Sequence, residues 1–400
     1  MNLPSHPNLK RCSAIAIACA SFAICGTGRG DEAVSSVAKD AALILATGPG
    51  AEGYSAATAA ARRLVMLPPT ATTDILALMS DASPLAKNWL RMIASAVADN
   101  DAENFPTEAL TTFFRNQSQD DDARHAAFQM LVNHDPPQSA VLLSDAQDDP
   151  SLPIRYAAIA MRLREADQLK ADGDNEGAMS LYRMIVAMGR NPDQLQAAVK
   201  SLDSLGEKLD LADELGLVRQ WWAIGTFDNS GSAHFDSVYS PEQTYIDKGK
   251  LPESMLKENA TIATGDKKTA TTYRVTSEDS FGVVNINPAF ENAKDAIVYL
   301  YFEFETGSNE KMDAVARLGS ITASKAWVNG VEVMANEVYH SGSRIDQYLG
   351  DCKLVPGVNT VLLKICQNAQ TEPWAQDWQF QFRFTDPAGA AILPTSISKK

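Results

Sequence analysis

The stretch Asp377-Trp-Gln-Phe-Gln-Phe-Arg-Phe-Thr385 decides the fold class of this chain. Its aromatic residues recur at every second position, the side-chain period of a β-strand, whereas a helix would scatter them around its axis. One face of the predicted strand carries Trp378, Phe380, Phe382 and Phe384. The other face carries Gln379, Gln381 and Arg383. A strand with one aromatic face predicts a sheet packed on an apolar core.

Neighbouring stretches predict further strands of an antiparallel sheet. The run Arg317–Ser320 leads into Ala326–Gly330, whose Asn-Gly end predicts a hairpin. A second hairpin is predicted at Pro356-Gly357 within Leu354–Lys364. The run Ile297–Glu305 is apolar on both faces, which is typical of a central strand covered on two sides. Together these patterns predict a β-sandwich over residues 216–388, followed by a flexible tail over 389–400.

Residues 31–215 are predicted to be helical. Apolar residues recur with helical spacing, and Ser83-Pro84 is interpreted as an N-cap followed by a proline at the first helical position. Further helix starts are predicted at Asp120–Asp122 and at Ser151. Helix starts align on the basic residues Lys87, Arg124 and Arg155, at separations within the range of helical-hairpin repeats. The G-x-G-x-x-G match at Gly48–Gly53 lacks a preceding strand, so it is interpreted as a loop between helices.

The first thirty residues have the pattern of a secretory signal peptide. Lys10 and Arg11 precede the apolar run Cys12–Cys25, and small residues lead to Gly30. The run is too short to cross a bilayer comfortably and no second such run follows, so the sequence predicts an exported protein without a membrane span. Two cysteines then remain, Cys352 and Cys366, either as a disulfide or as two free thiols.

Composition excludes some classes of partner. A length of 400 residues favours more than one domain. The formal charge of −15 argues against nucleic acid, whose phosphates require clustered basic residues. We find no nucleophile elbow, H-E-x-x-H, P-loop or metal-spaced cysteine pair, so we expect a non-catalytic protein without a cofactor or a metal. Three carboxylates, Asp228, Asp236 and Glu242, offer oxygen ligands of the kind that calcium prefers, so a structural calcium site stays an open alternative.

Several stretches carry a resemblance to a known fold. They are Trp222–Asn229, Leu318–Ser320, Lys325–Gly330, Pro356–Asn359 with Leu362–Lys364, and Trp378–Asp386. This series resembles the galactose-binding-like jelly roll, a β-sandwich that accompanies many glycoside hydrolases and other exported proteins. In the helical part, Asp149–Leu163 resembles a HEAT repeat and Ala166–Gly206 a tetratricopeptide (TPR) unit. The whole chain is similar to a group of exported bacterial proteins with no assigned activity.

Candidate ligand-binding residues fall in two loops of the predicted sandwich. Carbohydrates are bound by exposed aromatic faces, with amides and carboxylates fixing the hydroxyl groups. The candidates are Trp374, Glu372, Gln370, Tyr339, His340, Asp346 and Trp327. Trp374 either stacks on a sugar or plugs the end of the sandwich, and Trp327 either binds or is structural. The stretch Tyr339–Tyr348 either lines a pocket or bonds its own backbone.

Three functions remain open at the level of sequence. The first is an exported, non-catalytic binding protein whose sandwich recognises carbohydrate and whose helical repeats act as a scaffold for a protein partner. The second is a protein–protein interaction scaffold that binds no glycan. The third is a polysaccharide-active enzyme with two carboxylates between the halves.

Overall fold

The structure, a computed structural model, describes residues 30–264, 269–394 and 396–397. It confirms helices in the N-terminal half and antiparallel sheets in the C-terminal half. The chain forms two compact units, Met1–Ser139 and Ala140–Lys400. The predicted signal segment lies outside the described residues, apart from Gly30. Among the described residues, no helix combines the length and the apolar character that crossing a membrane requires.

The first unit is built from helices. They are α1 Gly30–Leu45, α2 Tyr54–Leu64, α3 Thr72–Ala77, α4 Pro84–Ala98, α5 Thr107–Arg115 and α6 Asp121–His134, with α7 Pro136–Leu142 following. The predicted cap at Ser83 is confirmed, because its hydroxyl accepts from Ala86 N at 3.2 Å. The helix start predicted at Asp120–Asp122 is also confirmed, and the Asp120 carboxylate caps that helix by accepting from Ala123 N at 3.1 Å. The loop at residues 48–53 joins α1 to α2, as predicted.

The second unit begins with helices that pack on one another. They are α8 Leu152–Ala171, α9 Asn175–Met188, α10 Pro192–Ser204 and α11 Leu211–Leu215. Ile159, Tyr182 and Leu202 meet in their shared core. Another apolar cluster joins Leu195 of α10 and Leu215 of α11 to Ile345, which lies in a loop between strands. These helices therefore belong to the same compact unit as the sheets.

The strands begin just after α11, where Gly216 ends the helix in the left-handed conformation. They are β1 Gln220–Asp228, β2 Thr261–Ala263, β3 Thr269–Thr276, β4 Val284–Asn285, β5 Ala296–Glu305, β6 Met312–Ser320, β7 Ala323–Val328, β8 Val331–Asn336, β9 Tyr348–Leu354, β10 Val358–Gln367, β11 Gln379–Thr385 and β12 Ser396–Ile397. One helix, α12 Ser240–Lys248, follows β1.

All pairings between these strands are antiparallel, and they form two sheets. The larger sheet has the order β2-β3-β1-β5-β10-β7-β8, with β12 pairing with β5, and the smaller has the order β4-β11-β6-β9. The predicted Asn329-Gly330 hairpin is confirmed, because it joins the paired strands β7 and β8. In the segment predicted as a tail, Ala391 forms an antiparallel β-bridge with Thr385, the last residue of β11.

The prediction of a hairpin at Pro356-Gly357 is wrong. β9 pairs with β6 in the smaller sheet, whereas β10 pairs with β5 and β7 in the larger one, so the turn crosses from one sheet to the other. The two cysteines consequently lie in different layers: Cys352 packs against the core between the sheets, and Cys366 lies in the core on the other face of the larger sheet. Both are free thiols.

The two sheets pack face to face on the predicted aromatic core. Trp378, Phe380 and Phe382 are fully buried, which confirms the face assignment made from their period of two. Phe380 and Phe382 pack against Trp221 of β1, with their ring centroids 5.3 and 5.7 Å from that of Trp221. The predicted central strand is also confirmed: β5 sends Leu300 into this core and neighbouring side chains to the opposite face.

The outer face of the larger sheet is covered by a second core, formed with α12 and the loops around it. A buried ion pair lies within it. Lys364 donates to the Glu242 carboxylate at 3.3 Å and to the carbonyls of Phe235 and Ser237 at 2.7 Å. Tyr299 donates to the same carboxylate at 2.6 Å. Burial lowers the pKa of Lys364, and the charge of Glu242 opposes that shift.

Replacing Lys364 with methionine should lower the free energy of unfolding by about 3–5 kcal/mol, because the Glu242 carboxylate then stays buried without its cation. Urea unfolding followed by tryptophan fluorescence measures this. Trp89 is the only one of the six tryptophans that lies in the first unit, so the signal reports mainly on the second.

The matched control is Lys353→Met, which removes an ion pair at the surface. Lys353 lies 2.5 Å from Asp313, but solvent screens the pair because both side chains are exposed. We expect no measurable change for this variant. A double variant, Lys364→Met with Glu242→Leu, should recover much of the lost stability. Equal effects of the buried and the exposed substitution would contradict the analysis.

Candidate functional site

The candidate site lies at one end of the larger sheet. Because the strands are antiparallel, β1, β8 and β10 all end there and β5 begins there. The loops that follow these strand ends bring polar and aromatic side chains together. We name this group the Trp374 cluster, and its members are Asn229, Tyr339, His340, Asn368, Gln370 and Trp374.

Trp374 is presented to solvent by a fixed loop. Its side chain is 59% exposed, and it is the only exposed tryptophan among the six, all of which are described. Lys294 donates to the carbonyl of Ala375 at 2.9 Å, and Asn287 donates to that of Gln376 at 2.9 Å. The loop is thereby held from two sides. A rigid, exposed indole face is suited to contact with an apolar surface of a ligand.

The His340 ring packs edge-to-face against the Trp374 indole. The two rings are nearly perpendicular, at 89°, with centroids 5.3 Å apart. His340 Nε2 lies 3.0 Å from Asn368 Oδ1, and Asn368 Nδ2 donates to Gln370 Oε1 at 2.8 Å. Since an amide oxygen only accepts, His340 Nε2 is the donor in this arrangement. In the neutral ring, Nδ1 is then an acceptor, and it is buried without a hydrogen-bond partner.

Asn229 ties this group to the sheet. Its amide donates to Tyr339 Oη and to the carbonyl of Gln367, both at 3.0 Å. Its own Oδ1 is buried and unpaired, as is Oδ1 of Asp295, whose backbone carbonyl accepts from Asn229 N at 2.8 Å. Three buried acceptors, His340 Nδ1, Asn229 Oδ1 and Asp295 Oδ1, therefore lie in or next to the cluster without a protein partner. Each unpaired buried acceptor costs about 1–3 kcal/mol, so such groups are usually satisfied by a water or a ligand.

The structure brings four of the seven predicted site residues into the Trp374 cluster, namely Trp374, Gln370, Tyr339 and His340. Glu372 is exposed at the start of the short 3₁₀ helix that carries Trp374. Trp327 lies elsewhere: it is 2% exposed in the second core. Asp346 also lies elsewhere, because its carboxylate accepts from Arg383 Nε at 2.8 Å and from Arg317 at 3.1 Å on the outer face of the smaller sheet.

Two members of the cluster were not among the predicted residues. Asn229 and Asn368 each follow the end of a strand, after β1 and β10 respectively. Asparagine at a strand end is a common turn signal, so the residue type alone does not mark either position as a binding residue. Only the pairing of β1 and β10 with the same strand, β5, brings them together.

A second polar chain lies close to Asn229. His234 Nδ1 is 3.0 Å from Ser237 Oγ, and His234 Nε2 is 3.1 Å from the Asp228 carboxylate. The Asp228 side chain is 44% exposed and also accepts from Ser230, so solvent screens its charge at the imidazole. Ser237 and His234 are three residues apart in one loop. We therefore assign this series of hydrogen bonds to stabilising that loop.

The three carboxylates considered as calcium ligands each lie beside a different basic side chain. Asp236 pairs with Lys325 at 2.6 Å, Glu242 with Lys364, and Asp228 with His234. Over the part of the chain that the structure describes, no group of three or more His, Cys, Asp or Glu side chains is arranged to hold a metal ion.

Comparisons with known proteins add little. No protein-family model and no curated protein matches the chain. A β-glucosidase from Kluyveromyces marxianus matches 31% of this chain and 15% of its own, at 14% identity and a TM-score of 0.23. A GH31 α-xylosidase from Xanthomonas citri matches 29% of this chain and 14% of its own, at 14% identity and a TM-score of 0.17. Similarity at these TM-scores supports no argument about fold or function.

The position of Trp374 predicts that its removal leaves the fold intact. Trp374→Ala should leave the urea midpoint nearly unchanged, because the side chain is 59% exposed. The matched variant Trp378→Ala should lose about 3–5 kcal/mol, since that indole is fully buried between the sheets. Urea unfolding followed by circular dichroism compares them. A large loss for Trp374→Ala would show that this indole plugs the sandwich.

Proposed function

We propose that this protein is a non-catalytic carbohydrate-binding protein and that the Trp374 cluster is its binding site. The observation that carries the proposal is the exposed indole of Trp374 beside a group of amides and an imidazole. Pyranose rings offer an apolar C–H face and several hydroxyl groups. The indole takes the apolar face, and the unpaired acceptors accept from hydroxyl groups.

The arrangement also favours binding over reaction. His340 is oriented by the amide of Asn368, not by a carboxylate, and the charge of Glu372 lies on an exposed turn. A histidine without a charged partner is poorly suited to general base catalysis. Loops that a rigid sheet holds at its end are a frequent position for binding residues.

We further propose that the two sheets form a galactose-binding-like jelly roll and that the helices are HEAT- and TPR-like repeats. The aligned basic residues support the repeat interpretation. Arg124 donates to the carbonyl of Phe114 at 2.9 Å, and Arg155 donates to that of Asp149 at 2.7 Å, so each ties its helix to the segment before it. In this proposal the helical part holds a protein partner, and the signal-like segment 1–30 directs the protein out of the cytoplasm.

The experiment that tests the binding function is a glycan-array screen of the full chain, followed by titration calorimetry with the best glycan. Trp374→Ala should weaken binding about thirty-fold or more, as for a central aromatic contact. Trp374→Phe should weaken it less, because a ring remains to stack. The matched control Leu349→Ala removes another exposed apolar side chain of the sandwich and should bind like the unchanged protein.

Two results would overturn the proposal. One is a folded protein that binds no glycan on the array, which would favour the interaction scaffold. The other is glycan binding that Trp374→Ala leaves at full strength, which would place the binding site elsewhere on the molecule.

A further inference from the structure

A cavity of about 330 Å³ lies within the second unit, and none of its lining residues belongs to the Trp374 cluster. Its walls come from the first turns of α8 and α10, from β6, and from the loop before β9. The residues that give it its chemical character are Arg155, Arg190, Arg317, Arg344, Gln194 and Gln347. Its volume is at the lower end of the range for ligand pockets, which suits a molecule the size of one sugar.

Arginines outnumber carboxylates among the residues that line this cavity, although the chain as a whole carries −15. Four arginines line it, against the two carboxylates of Asp193 and Asp346. Asp346 is shared between Arg317 and Arg383, so one carboxylate serves two guanidinium groups. Burial lowers the pKa of Arg155 and the nearby charge of Arg190 lowers it further, whereas the charges of Asp148, Asp149 and Asp386 oppose that shift. Much of the positive charge is therefore balanced by carboxylates, and the attraction for an anion depends on the arginines that have no carboxylate partner.

Two of these arginines still have donor capacity. The Arg344 side chain is exposed at the cavity and makes no hydrogen bond or ion pair with the described residues. Arg190 donates through Nη1 to the carbonyls of Met188 and Gly189, at 3.1 and 2.8 Å, but its Nε is buried without a partner. A guanidinium binds a carboxylate through paired N–H groups, so both are suited to an acidic ligand.

Two residues that line the cavity also carry acceptors without a protein partner, which an anion alone cannot satisfy. Gln194 is 6% exposed, and its Nε2 donates to the carbonyl of Tyr156 at 2.9 Å, which leaves its Oε1 buried and unpaired. Gln347 donates through Nε2 to Ser341 Oγ at 3.0 Å, and its Oε1 is likewise buried and unpaired. These oxygens require a donor, which a hydroxyl group supplies.

We propose that this cavity binds a small hydroxylated carboxylic acid, of the class of the sugar acids. The carboxylate binds Arg344 and Arg190, and the hydroxyl groups donate to the side-chain oxygens of Gln194 and Gln347. The site shares no residue with the Trp374 cluster.

Titration calorimetry on the full chain at low ionic strength tests this. D-glucuronate should bind, whereas glucose, which lacks the carboxylate, and acetate, which lacks the hydroxyl groups, should bind at least tenfold more weakly. Arg344→Gln should weaken glucuronate binding about tenfold or more, as the loss of a charge-assisted hydrogen bond does. The matched control Arg164→Gln removes the same charge from an exposed position on α8 and should leave binding unchanged. Trp374→Ala should also leave it unchanged.

Several outcomes would overturn the inference. One is the absence of glucuronate binding, and another is equal binding of glucuronate and glucose. Equal effects of Arg344→Gln and Arg164→Gln would show that only overall charge matters. If inorganic phosphate binds as tightly as glucuronate and competes with it, the cavity is a simple anion site and the assignment to a hydroxylated acid is wrong.

Discussion

The pairing of β5 with β10 is the constraint on which the second unit depends. The two strands match over their full length, from Ala296 opposite Gln367 to Glu305 opposite Val358. Because they occupy the centre of the larger sheet, both of their faces are covered. Each strand therefore supplies alternate side chains to two different cores. A shift of one residue in this register would exchange the two sets and disrupt both cores at once.

This double coverage explains the buried charges of the outer core. Lys364 falls on the face of β10 that α12 and its loops cover, where its cation is completely buried. The Glu242 carboxylate and two backbone carbonyls accept from Lys364, and the Tyr299 hydroxyl donates to the same carboxylate. Such a network contributes little net free energy when complete, since desolvation offsets the attraction, but it is costly when one member is missing. It therefore specifies how α12 lies on the sheet.

The two candidate sites share a physical character. At each, buried side-chain atoms are held in place by bonds to the protein and still have unused hydrogen-bonding capacity: His340 Nδ1 and Asn229 Oδ1 at the end of the larger sheet, and Gln194 Oε1 and Gln347 Oε1 beside α10. Packing inside a domain normally leaves few such groups. Among the described residues, three such atoms lie beside the exposed indole and three belong to residues that line the arginine-rich cavity, while five others lie elsewhere in the unit.

The sequence by itself determined the local structure. Alternation of aromatics defined the buried face of β11, apolar residues on both faces identified β5 as central, and capping residues predicted the starts of α4 and α6. These patterns depend only on near neighbours in the chain. The tertiary structure alone decided which sheet receives each strand, so that Pro356-Gly357 crosses between sheets. It also decided that Asn229 meets Tyr339, 110 residues away, while Asp346 turns to Arg383. Such contacts depend on how distant segments pack, which no local period encodes.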